Sequence, residues 1–431
     1  MPLFPHLFLS GSFLLSASPF SRFVLASGLT NLGDGIATMA WAWLASLMTR
    51  DPLLIALVPV ALRLPWFLFA LPAGIVTDRM DRRRLILSMD LLRAAAFAAA
   101  AAALWLALPL APPPERGVAE MPLFAAILAL ALTVGVAEVF RDNAAQTMLP
   151  AIVPHERLEQ ANGRLWSVEL VGNALIGPAL GAMLIAGFLP LPFAFNAGAF
   201  ALAVALVAGM QGRFHPQPGA ARNWRRELGE AVAFLRAAPL LRLLAVITGL
   251  WNLMFQMVMI ALVLHAQENL GLGARAYGLV LAAGAAGGIA GGYWAEGIVR
   301  QLGPARSAQW AMAASPPAFL AMALAPGPVA LGLVLAVFEF FGLLWNTVSV
   351  SYRQRAIPDG MLGRVNSLYR LLAWGMMPVG LLLSGMIVRG GEALVPRGAA
   401  LTAPFFAAAL GALALAVLGW HPLGRGFQAG R

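Results

Sequence analysis

Residues 74–84 read Gly-Ile-Val-Thr-Asp-Arg-Met-Asp-Arg-Arg-Arg, and they separate two long apolar stretches near 53–77 and 85–109. An apolar stretch of about 20 residues is long enough to cross a bilayer as a helix. Basic residues concentrate in the cytoplasmic loops of membrane proteins. The sequence therefore predicts a tight cytoplasmic loop between two membrane-spanning helices.

The composition of the whole chain agrees with a membrane protein. Of its 431 residues, 60% are hydrophobic and 11% are charged, and the mean hydropathy is +0.79. Because soluble domains carry about 25% charged residues, this chain has too little polar surface to cover itself in water. About twelve segments qualify as spans, with six in each half of the chain. They lie near 22–47, 53–77, 85–109, 121–143, 164–187, 190–210, 240–265, 275–297, 307–325, 328–350, 366–388 and 399–420.

The basic residues are distributed unevenly along this predicted topology. All 29 are arginine. With both termini in the cytoplasm, most of them fall in inside loops, and few, such as Arg50 and Arg116, fall outside. This bias predicts the orientation, and it accounts for the net charge of +10 without a nucleic-acid partner. We expect a monomeric, multi-pass protein of the cell (inner) membrane.

An internal repeat predicts two related six-helix bundles. The stretch 153–166 matches the stretch 357–370, with Pro, Leu and Asn at equivalent places, and each stretch opens a predicted span. Between the halves, 212–239 mixes proline with arginine and glutamate, which predicts a linker. The expected division is a bundle at 1–211, a cytoplasmic linker at 212–239 and a second bundle at 240–431.

Several kinds of chemistry are excluded by the composition. The chain has no cysteine and no lysine, which excludes disulfides, cysteine-based zinc sites and the Walker A lysine. The five histidines lie too far apart for a metal-ligand spacing. We therefore expect no cofactor, no metal site and no enzymatic activity. A non-transporting membrane sensor or a membrane enzyme remains the alternative from another class.

Two motifs resemble a known superfamily. The loop 74–84 resembles the helix 2–3 loop of the major facilitator superfamily, G-x-x-x-D-R-x-G-R-R, with Asp81 in place of the second glycine. Gly177-Pro178-x-x-Gly181 resembles the core of the antiporter motif of drug-exporting members. Nearly the whole chain resembles the drug:proton antiporter branch, which includes macrolide efflux, Tap-like and enterobactin exporter proteins. The resemblance implies an all-α fold of two bundles that exports its substrate by alternating access.

Five residues of the loop form a predicted gating motif: Gly74, Asp78, Arg79, Arg82 and Arg83. We expect Gly74 to let a neighbouring helix approach closely. We expect Asp78 to accept charge-assisted hydrogen bonds from the other half and so hold the cytoplasmic face in one conformation. The alternative is a basic membrane anchor without a gating role.

A predicted kink lies at Gly177, Pro178 and Gly181. Proline removes a backbone hydrogen bond and glycine removes a side chain, so this helix is expected to bend and pack tightly. The alternative is ordinary packing of small residues, as expected for the glycines of 284–292.

Three ionisable residues fall about half-way along predicted spans: Asp34, Arg63 and Glu339. A charge at such a depth is costly unless it is paired or hydrated, so function is the first hypothesis. We expect Asp34 to pair with Arg63, and we expect Asp34 and Glu339 to couple proton release to substrate binding. A static ion pair that only fixes helix packing is the alternative.

Other charged residues are expected nearer the cytoplasm. Asp90 and Arg93 stand three residues apart and are expected to pair with each other. A cytoplasmic ion-pair network is predicted from Glu138, Arg141, Asp142, Arg164 and Glu169.

Aromatic and amide side chains predict the substrate cavity. The candidates are Asn31, Trp251, Gln256, Trp345 and Asn346, with Asp34, Arg63 and Glu339 beside them. A largely apolar pocket with few polar groups suits a bulky amphiphilic ligand. The alternative is that these aromatics face lipid or fill the bundle core.

The predicted function is export of a small, bulky amphiphilic molecule, drug-like or siderophore-like, by proton antiport. Uptake or facilitated movement of a metabolite, lipid or metal by the same fold remains the alternative.

Overall fold

The computed structural model describes residues 18–77, 79–154, 161, 164–165, 168–212, 214 and 224–429. Within these ranges all regular structure is helical, which confirms the predicted all-α class. The helices are α1 Pro19–Met48, α2 Pro52–Thr77, α3 Arg82–Ala107, α4 Met121–Ile152, α5 Gly177–Gly187, α6 Leu191–Ala208, α7 Trp224–Ala237, α8 Pro239–Leu264, α9 Ala274–Ala313, α10 Ser315–Leu324, α11 Pro328–Ala356, α12 Asp359–Trp374, α13 Met377–Gly391 and α14 Arg397–Ala429. Two π-helical segments, Leu170–Ile176 and His265–Asn269, precede α5 and follow α8.

Nine stretches of the described residues are long and apolar enough to cross a membrane. One of them, Ala274–Leu324, has 51 residues, and Gly303 interrupts its helix at a φ of 78°. Glycine adopts this backbone conformation without steric cost, and Pro304 then begins the next helical run. The chain is thus a multi-pass membrane protein, while the count of twelve spans stays a prediction.

The start of α3 explains why Asp81 stands where the signature loop has glycine. Asp81 is the residue before the first turn of α3, and its carboxylate accepts a hydrogen bond of 2.9 Å from the backbone N–H of Arg84. Such a cap satisfies an N–H group that otherwise lacks a partner within the helix. Asp81 therefore defines where the loop ends and the helix begins.

Helices that follow each other in sequence are not always the closest neighbours. α2 packs most extensively on α4, whereas α1 and α3 both pack on α6. The contact between α1 and α2 is much smaller. This arrangement decides which charged residues meet inside the first six helices.

The ends of the helices form two faces. We call the end that carries residues 49–51, 108–120, 270–273 and 392–396 the Arg50 face, and the end that carries 79–81 and 209–212 the Arg82 face. The sequence predicts that the Arg50 face is outside the cell and the Arg82 face is in the cytoplasm.

Candidate functional site

A buried ion pair joins α1 to α3. Nη2 of Arg93 donates a hydrogen bond to Oδ1 of Asp34, and the Arg93 side chain is completely buried. The guanidinium also lies over the Phe200 ring, 4.0 Å from its centroid. The Asp34 side chain keeps 22% of its surface exposed. Of the two side chains, only that of Asp34 therefore has exposed surface.

The predicted pair of Asp34 with Arg63 is wrong. Nη1 of Arg63 lies 3.8 Å from Oε1 of Glu138, on α4. The reason is that α2 packs on α4, where the backbone of Leu62 meets Gly135. Because glycine has no side chain, the two helices approach closely there, and Arg63 lies beside Glu138 one turn further along.

The predicted pair of Asp90 with Arg93 is also wrong. Nε of Arg141 lies 3.5 Å from Oδ1 of Asp90, and Nη1 of Arg141 lies 3.3 Å from Oδ1 of Asp142. Nη2 of Arg141 donates to Oγ1 of Thr30 at 3.0 Å. Helix–helix packing thus overrides the local spacing of three residues. Asp90 is fully buried, and neither of its oxygens has a hydrogen-bond partner within the described residues.

These ion pairs form one cluster within the first four helices, which we call the charge cluster. It has four carboxylates and three guanidinium groups, so with every group ionised it carries one surplus negative charge. A net charge away from water is costly, and binding one proton would remove it. The members are Asp34, Arg63, Asp90, Arg93, Glu138, Arg141 and Asp142.

The predicted cytoplasmic network needs a correction. Glu138, Arg141 and Asp142 belong to the charge cluster, where Arg63 and Asp90 are partners. Arg164 and Glu169 are exposed, and no ion pair among the described residues joins either of them to this cluster. Side chains that point to solvent at a helix end gain little from pairing, which explains the separation.

The second candidate acid, Glu339, lies alone in α11. Its stem rests against the glycines of α9: a methyl group on Gly288 would lie 3.7 Å from Cβ of Glu339. Within the described part of the chain, its carboxylate has no ion pair and no hydrogen bond. Trp251 of α8 lies close by, and its Nε1 donates to Oγ of Ser315 at 2.9 Å.

The other predicted cavity residues are placed differently. Trp345 is buried and donates to Oγ1 of Thr248 at 3.2 Å, which favours the bundle-core alternative for this residue. Asn31 donates to the carbonyl of Ser27 in its own helix at 2.9 Å. Gln256 is half-buried and Asn346 is exposed. The structure therefore brings Trp251 to Glu339, and no hydrogen bond among the described residues joins these amides to Asp34 or Glu339.

The gating motif is described only in part, because Asp78 lies outside the described residues. Arg82 donates to the carbonyl of Thr147 at 2.8 Å, and Arg83 donates to those of Val207 (3.1 Å) and Ala208. These arginines thus bind carbonyls near the ends of α4 and α6, where the helix dipole favours positive charge. Arg79 is exposed.

The close helix approach expected at Gly74 is not found. A methyl group on this glycine would meet no described atom within 4 Å. The hydrogen bonds of Arg82 and Arg83 to Thr147, Val207 and Ala208 stay within the first six helices.

The predicted kink region crosses α1 beside Asp34. The π-helical segment Leu170–Ile176 ends at Gly177, and a methyl group on Gly177 would lie only 2.6 Å from Cα of Gly35. A methyl group on Gly181 would lie 2.8 Å from the carbonyl oxygen of Ile36. Without side chains the two backbones touch, and the contact adjoins the residue that carries the Asp34 carboxylate.

Sequence reasoning missed a set of ion pairs on the Arg50 face. Arg50 lies 3.7 Å from Glu268, and Arg116 lies 2.5 Å from Glu392. Arg389 lies 3.8 Å from Asp51. Each pair joins a residue before 212 to one after 223. One feature of the sequence could have predicted these pairs. The few arginines that are predicted to lie outside the cell face loops that also carry acids.

The chain matches the transmembrane secretion effector family, MFS_3, over residues 12–419. It belongs to this family. The superfamily resemblance seen in the sequence is thereby confirmed, and the chain is a membrane transporter of the major facilitator type.

A curated relative of this MFS_3 chain is the multidrug efflux pump Tap of Mycolicibacterium fortuitum. The two are 26% identical over 429 residues, covering 93% of this chain and 94% of Tap. Among solved structures, a mutant of the nucleoside transporter NupG is similar with a TM-score of 0.75 and 12% identity, covering 94% of this chain and all of that one. A bacterial homologue of the iron transporter ferroportin, in an inward-facing state, is similar with a TM-score of 0.71 and 17% identity. The match covers 93% of this chain and 98% of that one. At these identities the two structures indicate the fold alone.

Proposed function

We propose that the protein exports a bulky amphiphilic molecule in exchange for protons, by alternating access between two six-helix bundles joined by residues 212–239. The similarity to Tap, a multidrug efflux pump, supports the direction and the kind of substrate. The antiporter-type stretch at Gly177 and Pro178 supports the same direction. The charge cluster supports the coupling to protons.

The observation that carries this proposal is the Asp34–Arg93 pair within a cluster that has one surplus acid. A proton that binds Asp34 removes the negative charge that holds Arg93, so only the remaining acids of the cluster then attract the Arg93 guanidinium. α1 touches the π-helical segment and α5 directly beside Asp34. A change at Asp34 can therefore move helices that are proposed to line the substrate path.

The Arg50 face supports one particular state of the transport cycle. Ion pairs such as Arg50–Glu268 and Arg116–Glu392 join the two bundles there. Gln267 also donates to Oγ of Ser46 at 2.7 Å, across the same boundary. On the described part of the Arg82 face, the hydrogen bonds of Arg82 and Arg83 stay within the first bundle. We infer a conformation that is closed on the outside and accessible from the cytoplasm.

A drug-susceptibility panel in an efflux-deficient host identifies a transported compound, and the panel includes a macrolide, a tetracycline-like drug and a siderophore. Purified protein in liposomes then exports this compound under an imposed pH gradient. We expect the gradient to accelerate export by the wild type, and we expect Asp34→Asn to abolish that acceleration. Transport that is indifferent to both the gradient and this substitution would contradict the coupling. Inverted and right-side-out vesicles distinguish export from uptake.

A further inference from the structure

Glu339 stands apart from the acids of the charge cluster. Each of those acids has an arginine nitrogen within 4 Å, whereas the Glu339 carboxylate has none among the described residues. Glu339 is the twelfth residue of α11, which has 29 residues. A charged carboxylate at this depth is unfavourable unless water or a ligand compensates its charge or a proton neutralises it. Within the described part of the chain, no arginine does so for Glu339.

The carboxylate and an aromatic ring converge on one point beside Gly342. A methyl group on this glycine would lie 3.9 Å from Oε2 of Glu339 and 3.8 Å from Cη2 of Trp251. These are ordinary van der Waals distances, so the space next to Gly342 borders both groups. Because residue 342 is glycine, no side chain of its own fills this space.

Trp251 belongs to a stack of three aromatic rings. Its ring lies 5.2 Å from that of Phe255 and 5.4 Å from that of Phe338, with interplanar angles of 8° and 9°. The hydrogen bond from Trp251 Nε1 to Ser315 fixes the orientation of the indole. The side chains thus provide a rigid aromatic surface next to a single negative charge.

The glycines of α9 direct Glu339 towards this surface. Gly287 and Gly291 meet the backbone of α11 at Ala336 and Phe340, so the two helices are in close contact along this stripe. The stem of Glu339 lies against Gly284 and Gly288, which contribute no side chain and no charge. Neither of these glycines therefore compensates the charge of the carboxylate.

We propose that Glu339 and the ring of Trp251 form a subsite for a lipophilic organic cation. An aromatic face attracts a cation, and the attraction grows when both are removed from water. A carboxylate adds charge pairing that a neutral ligand cannot use and that repels an anionic one. This inference deepens the proposed export and rests on it: substrate charge is read at Glu339, while protons act at the charge cluster.

The test measures binding of the radiolabelled cation tetraphenylphosphonium to the full-length protein in detergent, beside the neutral probe triphenylphosphine oxide. We expect wild type to bind tetraphenylphosphonium saturably. Glu339→Gln weakens this binding by about tenfold or more and leaves the neutral probe unchanged. Trp251→Leu weakens the binding of both probes. Glu296→Gln, which removes an exposed acid from α9, binds both as the wild type does.

Three results would each overturn the subsite: wild type that does not bind the cation, Glu339→Gln that keeps its affinity for the cation, or Glu339→Gln that loses affinity for both probes equally. If Glu339→Gln does not fold, Glu339→Asp serves instead, and we expect a severalfold loss for the cation alone. An equal loss of affinity for both probes in Glu339→Asp contradicts the subsite as well. Binding in detergent needs no proton gradient. A failure to bind the cation can therefore be distinguished from a failure of proton-coupled export.

Discussion

The Asp34–Arg93 pair is the residue-scale basis of the proposed proton coupling. Arg93 is fully buried and cannot lose its charge at physiological pH. Asp34 is partly exposed and can gain a proton. Protonation therefore changes only one side of the pair and leaves a buried cation that must find another acid. Asp90, whose oxygens have no hydrogen-bond partner in the described structure, lies within the same cluster.

A double-mutant cycle measures the interaction free energy between Asp34 and Arg93. Asp34→Asn or Arg93→Met alone leaves a buried charge without its partner, and such a break costs about 3–5 kcal/mol. We expect the double variant to be destabilised by clearly less than the two single effects together, because no unpaired charge remains. Thermal unfolding in detergent gives the stabilities.

Arg63→Gln is the matched control for that cycle. The Arg63 side chain is 41% exposed and lies 3.8 Å from Glu138, so its loss should cost less than about 1 kcal/mol. If Arg63→Gln destabilised the protein as much as Arg93→Met does, the special position of the Asp34–Arg93 pair would be wrong.

At the scale of elements, the sequence predicts what each helix is, but not which helices meet. Apolar length and proline placement suffice to position α2 and α4, and the loop motif suffices to position α3. The pairing of Asp34 depends on both α1 and α3 packing on α6, which no periodicity encodes. Spacing along one helix therefore predicted that Asp90 pairs with Arg93. The order of the helices in sequence predicted that Asp34 pairs with Arg63. Packing between distant helices decided both.

A substitution in the crossing of α1 and α5 tests whether that contact is needed. Gly177→Ala places a methyl group 2.6 Å from Cα of Gly35, which is too close for two packed helices. We expect a loss of about 1–3 kcal/mol and of transport, because backbones must move apart. Melting temperature and liposome transport are the measurements.

Gly198→Ala is the control for the crossing. It lies in α6, and its added methyl group would meet no described atom within 4 Å. Alanine is favoured over glycine inside a helix by about 1 kcal/mol, so this variant should be as stable as the wild type or more stable. Equal tolerance of alanine at 177 and 198 would show that the close crossing is unimportant.

At the scale of the whole molecule, the ion pairs of the Arg50 face predict that this face must open during transport. The chain has no cysteine, so two introduced cysteines are the only thiols. With Arg116→Cys and Glu392→Cys, a short bifunctional thiol reagent should join the bundles and stop transport until a reductant releases it. The same reagent on Arg226→Cys and Glu230→Cys, within α7, should leave transport intact. Full activity of the cross-linked 116–392 variant would contradict opening at this face.

The central claim is that outward substrate movement is exchanged for protons through the charge cluster, and the most direct measurement is proton flux driven by substrate. Liposomes containing the protein and a trapped pH-sensitive dye receive a gradient of the compound identified in the susceptibility panel, with no imposed pH difference. The account predicts that the wild type moves protons against the direction of the compound and that Asp34→Asn moves none. Substrate flux in the wild type without proton movement, or unchanged proton movement in Asp34→Asn, would contradict it.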